Sequence, residues 1–193
     1  MSEQRVISGL EGVLACESAV AFIDGQNGVL LYRGYDLRHF ADSADFLAVV
    51  HLLWHGDWPS ETELATFREL VRDRRELRPQ TLDLVRCMPL ESANPIAALR
   101  TAISLEGVLD TDADIISREA LIDKATSLLA RLPTLVTALA RRIQGREPIP
   151  PDPELDHATN YLYMLYGSKP AQSRVKAVNT LLTIYAEHEL NAS

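Results

Sequence analysis

The amino-acid sequence predicts a mainly α fold with one small β-hairpin near the N-terminus, and three observations carry that expectation. The β-prone runs "AVAFI" and "VLLYRGY" flank "DGQNG", a Gly/Asn-rich loop of hairpin type, and no comparable pair recurs later in the chain. After Asp36 the apolar residues repeat at helical rather than alternating spacing. Helix punctuation then recurs along the chain, with serine or asparagine before a run and glycine or proline after it. A chain of 193 residues can bury a sizeable core, so one helical domain, or part of a larger one, is the natural reading.

The segment "SADFLAVVHLLWHG" offers Ser43 as an N-cap and Gly56 as a stop. In "PSETELATFRELVRDRRELRP", Ser60 and Glu63 have capping-box spacing, and Leu64, Phe67, Leu70 and Val71 form one stripe that Pro79 ends. A short helix through Leu82, Val85 and Met88 follows, closed by Pro89. Asn94 then stands as N-cap and Pro95 at the first helical position, where its missing N–H costs nothing. Ala97, Ala98 and Ala102 make this helix narrow enough for another helix to approach closely. The pattern from Ser117 to Gly145 is long, and Pro133 inside it predicts a kink or break. "REPIPPDPEL" is a proline-rich linker. One further helix covers about 155–166 and stops at Gly167. The last starts near Ala171, with Val175, Val178, Leu182 and Tyr185 on one side.

Composition narrows the function. A net charge of -8, from 19 basic and 27 acidic residues, disfavours a nucleic-acid or anionic-membrane surface. The one basic cluster, "VRDRRELR", alternates with acids and reads as a solvated helix face. Cys16 and Cys87 are too few and too far apart for a disulfide framework or a zinc site. No window has the apolar length of a membrane span, and the start lacks a secretory pattern, so a cytoplasmic setting is expected.

Most candidate groups have an ordinary structural reading. His51 and His55 share one helix face, but "LLW" between them lacks the glutamate of a zinc-protease signature, and a structural pair beside Trp54 is expected; no metal is implied. His39 is uninformative alone, and His157 reads as a polar residue at a helix start. No phosphate-binding glycine loop is present. The terminal "YAEHELN" is different, because it crowds Glu187, His188, Glu189 and Asn191 together. Leu181 and Tyr185 lie at i-7 and i-3 from His188, which predicts an imidazole near the buried face of the last helix. Such a ring is either a satisfied core histidine or an N–H donor for a carbonyl or carboxylate ligand.

The chain resembles the citrate synthase family, in particular the shorter bacterial type that includes 2-methylcitrate synthases. "ISGLEGVLACES", "LLYRGYDLRHFADSADFLAVVHLLWHGDWPSETEL", "NPIAALRTAISLEG", "NYLYMLYG" and "YAEHELNAS" resemble successive family segments in the family's order. The resemblance implies a helical fold of large and small domains and a homodimer that condenses acetyl-CoA with oxaloacetate and water to citrate and CoA. It implies no cofactor, with acetyl-CoA or propionyl-CoA as substrate and no nucleic-acid or membrane partner. His188 matches the histidine that polarises the oxaloacetate keto group, and Asn191 lies beside it in the motif; these are the expected substrate-binding residues. Where many members read H-A-D-H-E this chain has Tyr185 to Glu189, a form closer to the 2-methylcitrate synthases, which use propionyl-CoA. The family's G-P-x-H-G-G-A-N segment and its proton-abstracting aspartate match nothing in residues 1–193. The expectation is therefore the N-terminal part of the large domain, without the small domain or the C-terminal remainder. Its catalytic residues are expected downstream of Ser193, leaving a truncated chain inactive alone. A non-catalytic dimerisation module is the alternative, with the Ala97 to Ala102 stretch as its candidate contact.

Overall fold

The computed structural model describes residues 17–91 and 93–187. The hairpin forms as β1 (Ala21–Asp24) and β2 (Val29–Tyr32), paired antiparallel with Ala21 opposite Tyr32 and Asp24 opposite Val29. "VLLYRGY" is not a single strand. The chain reverses at Arg33 and Gly34, both at positive φ (50° and 88°), and returns as β3 (Tyr35–Asp36). Two successive left-handed residues suit the twist of a two-residue hairpin turn, and Gly34 is the sequence signal for it. Arg33 repays its strained backbone with a fork to the next element: its Nε and Nη2 donate to the Leu53 carbonyl at 3.0 and 2.6 Å.

Seven helices follow among the described residues: α1 (Phe46–His55), α2 (Glu61–Asp73), α3 (Pro79–Cys87), α4 (Pro95–Val108), α5 (Arg118–Ile143), α6 (His157–Tyr166) and α7 (Gln172–Ile184). The Ser60/Glu63 capping box, the Asn94 cap with Pro95 and the left-handed stops at Gly56 and Gly167 all form as expected. Ser43 is not the cap of α1. Asp45 is, accepting from Leu47 N–H at 2.7 Å, because the helix starts two residues later. Leu70 drops out of the α2 stripe and is exposed, while Phe67 and Val71 are buried. Pro79 does not end α2, which stops at Asp73; it opens α3, the position a proline tolerates best.

α5 runs unbroken through Pro133. A helix-interior proline costs about 3 kcal/mol or more. Here α5 packs against α2, α3, α4 and α6, and burial of Ala130, Leu135, Ala138 and Leu139 offsets that loss. The small face of α4 serves the same hub: Ala98 and Ala102 are buried against Leu135, Ala138 and Leu139 of α5 within this chain. Close helix approach was the correct reading, but at these two residues it is intramolecular. "VRDRRELR" is also only partly a solvated face, since Arg75 is buried and its Nη1 donates to the Asp152 and Leu155 carbonyls at 3.3 and 2.8 Å. That guanidinium ties the proline-rich linker to the end of α2.

A second core joins the sheet to α1 through Tyr32, Leu37, Phe40, Val49 and Leu52. A third lies between α1, α2 and α5. α7 crosses against α1 and α6. Among the described residues no helix is long and apolar enough to cross a membrane.

Candidate functional site

His188 and Asn191, the expected substrate-binding residues, lie outside the described residues, so the site is built from what leads to them. α7 ends at Ile184, with Tyr185 as its C-cap and its N–H on the Leu181 carbonyl at 3.0 Å. The expectation that Leu181 and Tyr185 mark a buried face is overturned, because they are 52% and 71% exposed. Val175 and Thr183 carry the buried side of α7 instead, and Leu182 packs on the α1–α2–α5 core. Leu181 lies on the exposed side of α7 itself, and Tyr185 falls past its last helical residue, where the helical spacing no longer applies.

What fixes the chain after α7 is a side chain the sequence did not single out. The Tyr32 hydroxyl lies 2.8 Å from the Ile184 carbonyl and 3.1 Å from the Glu187 carbonyl, and accepts from Glu187 N–H at 3.3 Å. Tyr32 is 0% exposed, and its ring packs tilted on Phe40 with centroids 6.1 Å apart. Burial pushes its phenol above the usual range, so it remains a protonated donor at neutral pH. Ala186, in the same turn, packs against both the sheet–α1 core and the α1–α2–α5 core. One turn earlier, Asn179 grips the start of α1: its Oδ1 accepts from Phe46 N–H at 3.0 Å and its Nδ2 donates to the Ala44 carbonyl at 2.7 Å. The approach to the YAEHELN motif is therefore held by both the sheet and α1.

His157 does open a helix, as the first residue of α6, but it is not a surface residue. It is 9% exposed, with its ring 5.5 Å from that of Phe46. Burial, reinforced by the nearby Arg75 charge and opposed by Asp45 and Asp156, pulls its imidazole down to about 4. At neutral pH it is uncharged, able to donate or accept one proton in a hydrogen bond but not to carry charge. It walls a cavity of about 190 Å³ with Arg68, Arg72 and Arg75. Arg68 there is occupied by an ion pair with Asp45.

His51 and His55 stack with centroids 4.3 Å apart, and His51 Nδ1 is 3.3 Å from the Asp57 carbonyl. Burial, then the neighbouring His51 and Arg118, lower the His55 imidazole. Trp54 and His51 both meet the Phe67 ring edge-on, with centroids 5.8 and 6.2 Å away. His39 ends a short 3-10 turn (Leu37–His39). Among the described residues no group of three or more histidine, cysteine or acidic side chains is placed to hold a metal ion.

The profile described as "Citrate synthase, C-terminal domain" matches residues 9–193. The chain belongs to the citrate synthase family. The citrate synthase of Haloferax volcanii is 39% identical to it over 188 residues, covering 96% of this chain and 50% of the relative. Citrate synthase 2 of Bacillus subtilis is 40% identical over 185 residues, covering 96% and 49%. The crystal structure of the citrate synthase from Pyrobaculum aerophilum superposes with a TM-score of 0.85 at 31% identity, covering 93% of this chain and 47% of that one. The chain spans about half the length of the curated relatives it matches. In this citrate synthase-family chain the hairpin is thus part of the support for residues 184–187 rather than an N-terminal ornament. The signal that could have found Tyr32 is faint: it is the one tyrosine on the inward side of a strand directly before a two-residue turn.

Proposed function

We propose that residues 1–193 form the N-terminal part of the large domain of an acyltransferase that condenses acetyl-CoA with oxaloacetate and water, giving citrate and CoA. His188 donates an N–H to the oxaloacetate keto oxygen, and Asn191 lines the same pocket. A donor aimed at an oxygen on which negative charge develops stabilises the transition state more than the ground state. The observation that carries this reading is the family match over residues 9–193, which contains the YAEHELN segment. The reaction needs no metal or prosthetic group, because the thioester activates its own α-carbon. A base for the α-proton and cations for the carboxylates are to come from outside residues 1–193, so this chain by itself is not expected to turn over. The working form is a cytoplasmic homodimer; the exposed Ile96, Val108 and Ile116 supply apolar surface for contact with further polypeptide.

CoA release from acetyl-CoA and oxaloacetate tests the reading in two arms. The 193-residue chain alone should show none, and clear turnover would overturn its dependence on another segment. A chimaera carrying residues 1–193 ahead of the remaining half of the Bacillus subtilis relative should turn over. His188→Gln in that chimaera should lower kcat/KM by about 100-fold or more, and an unchanged value removes His188 from the site. The Tyr185-Ala186-Glu187-His188-Glu189 sequence favours a second reading, with propionyl-CoA as acyl donor and 2-methylcitrate as product. The ratio of kcat/KM for the two thioesters in the chimaera decides between them.

A further inference from the structure

His51 and His55 stand four residues apart on α1, so their side chains leave the same helix face on successive turns. Their rings stack with centroids 4.3 Å apart and planes 32° from parallel. His51 is fixed twice over, edge-on against Phe67 and with its Nδ1 3.3 Å from the Asp57 carbonyl. A carbonyl oxygen can only accept, so Nδ1 carries the proton and the lone pair sits on Nε2. His55 is exposed, and among the described residues no hydrogen bond to protein holds its ring. It is also the last residue of α1, where the helix dipole favours a cation. Glu63, in the first turn of α2, adds negative charge beside the pair: its carboxyl is held low first by the Ser60 hydrogen bonds and then by His51 and His55. The opposing charge, Arg118, is turned toward the Trp54 carbonyl, 3.3 Å from its Nη2.

We propose that His51 and His55 form a two-point chelate for a divalent transition-metal ion of the Zn2+ class, bound on the open face of α1 with water completing its coordination. A neutral imidazole is a ligand that such ions take, whereas Mg2+ and Ca2+ take oxygen. A backbone carbonyl on the Nδ1–H is the arrangement that orients a ligating histidine and leaves Nε2 for the metal. Each ligating nitrogen has to come within about 2.1 Å of the ion. His51 is already fixed, and the untethered His55 ring turns out of the stack to meet the ion. Burial first, and then His51 and Arg118, lower the His55 imidazole, which keeps it unprotonated at neutral pH. Among the described residues no third histidine, cysteine or acidic ligand joins the pair, so the site lacks the three-ligand frame of a catalytic zinc. Its role is separate from the condensation: the ion cross-links the last turn of α1.

Calorimetric titration of ZnCl2 into the 193-residue chain at neutral pH tests the site. His55→Gln, a change at an exposed side chain, should weaken Zn2+ binding about 10- to 100-fold, because the second imidazole acts at high effective concentration once the first is engaged. His51→Gln should weaken it to the same degree, while His39→Gln, on the 3-10 turn, should leave it unchanged. MgCl2 should give no comparable binding. In nitrogen NMR spectra of the imidazoles, Zn2+ should move His51 Nε2 and one nitrogen of His55, with the proton kept on His51 Nδ1. Zn2+ should also raise the Tm of the unmodified chain by mass action, and that of His55→Gln by less. An affinity in His55→Gln equal to that of the unmodified chain overturns the proposal. So does an unmodified chain that binds no Zn2+, or one that binds Mg2+ equally well. Should His51→Gln not fold, because its ring packs on Phe67, His55→Gln alone decides.

Discussion

Asn179 and Phe46 meet across 133 positions of sequence, the carboxamide oxygen of one accepting the first helical N–H of the other at 3.0 Å. The same carboxamide donates to Ala44, so a single side chain on α7 serves as a second cap for α1, beside Asp45. Asn179→Ala should cost about 1–3 kcal/mol of stability. Asn179→Asp should recover only part of this, because a carboxylate can accept from Phe46 but cannot donate to Ala44. Chemical denaturation followed by circular dichroism checks both; equal stability of all three proteins would mean that α7 is held to α1 by apolar contact alone.

Glu106 on α4 is buried and held by three groups. Thr81 Oγ1 donates to it at 2.5 Å, Arg131 Nη1 lies 3.3 Å away, and Arg78 Nε lies at 3.8 Å. Removing a buried carboxylate leaves its partners uncompensated, although here both arginines reach solvent in part. Glu106→Ala is expected to destabilise by about 2–4 kcal/mol, and Glu106→Gln by less because the amide still accepts from Thr81. Denaturation midpoints of the two variants give the comparison.

His157 makes stability depend on pH with a defined sign. Its imidazole is lowered from its ordinary value of 6.5 to about 4 in the folded chain, chiefly by burial. Between those values the unfolded chain binds the extra proton, so unfolding gains as the pH falls. The contribution is fully present above about 6.5 and is lost progressively down to about 4, a span corresponding to roughly 3 kcal/mol. His157→Asn should flatten that slope, read as the difference in unfolding free energy between pH 7 and pH 4.5.

Gly56 and Gly167 both close helices at positive φ, 100° and 82°, but their surroundings differ. A Cβ at position 56 meets nothing within 4 Å, whereas one at 167 comes 3.1 Å from Ile149 Cδ1 in the proline-rich linker. Gly56→Ala should cost about 1–2 kcal/mol from backbone strain alone. Gly167→Ala should cost more, because Ile149 has to shift as well. Thermal melts of the two variants should separate by a few degrees.

The helix punctuation was legible because capping is local. Ser60 with Glu63, Asn94 with Pro95, and the glycines at 56 and 167 each satisfy backbone groups within a few residues. Pro133 and Arg75 misled for the opposite reason. Whether a proline breaks a helix, or an arginine stays in water, depends on what packs around it from elsewhere in the chain. His157 shows the same gap: its place at the start of α6 was read correctly, while its burial against Phe46 was invisible. Family membership was legible in the ordered run of motifs, and the profile match over residues 9–193 bears it out.

By itself, then, the sequence determined the helical class, most of the helix ends and the family, since these depend on short-range hydrogen bonding and on residue order. Tertiary structure alone decided that α4 spends its alanines on α5, that α7 stops at Ile184, and that a strand tyrosine 152 positions away closes it. The physical reason is range: a cap is formed among neighbours, but the partner of Tyr32 exists only once the sheet, α1 and α7 have packed.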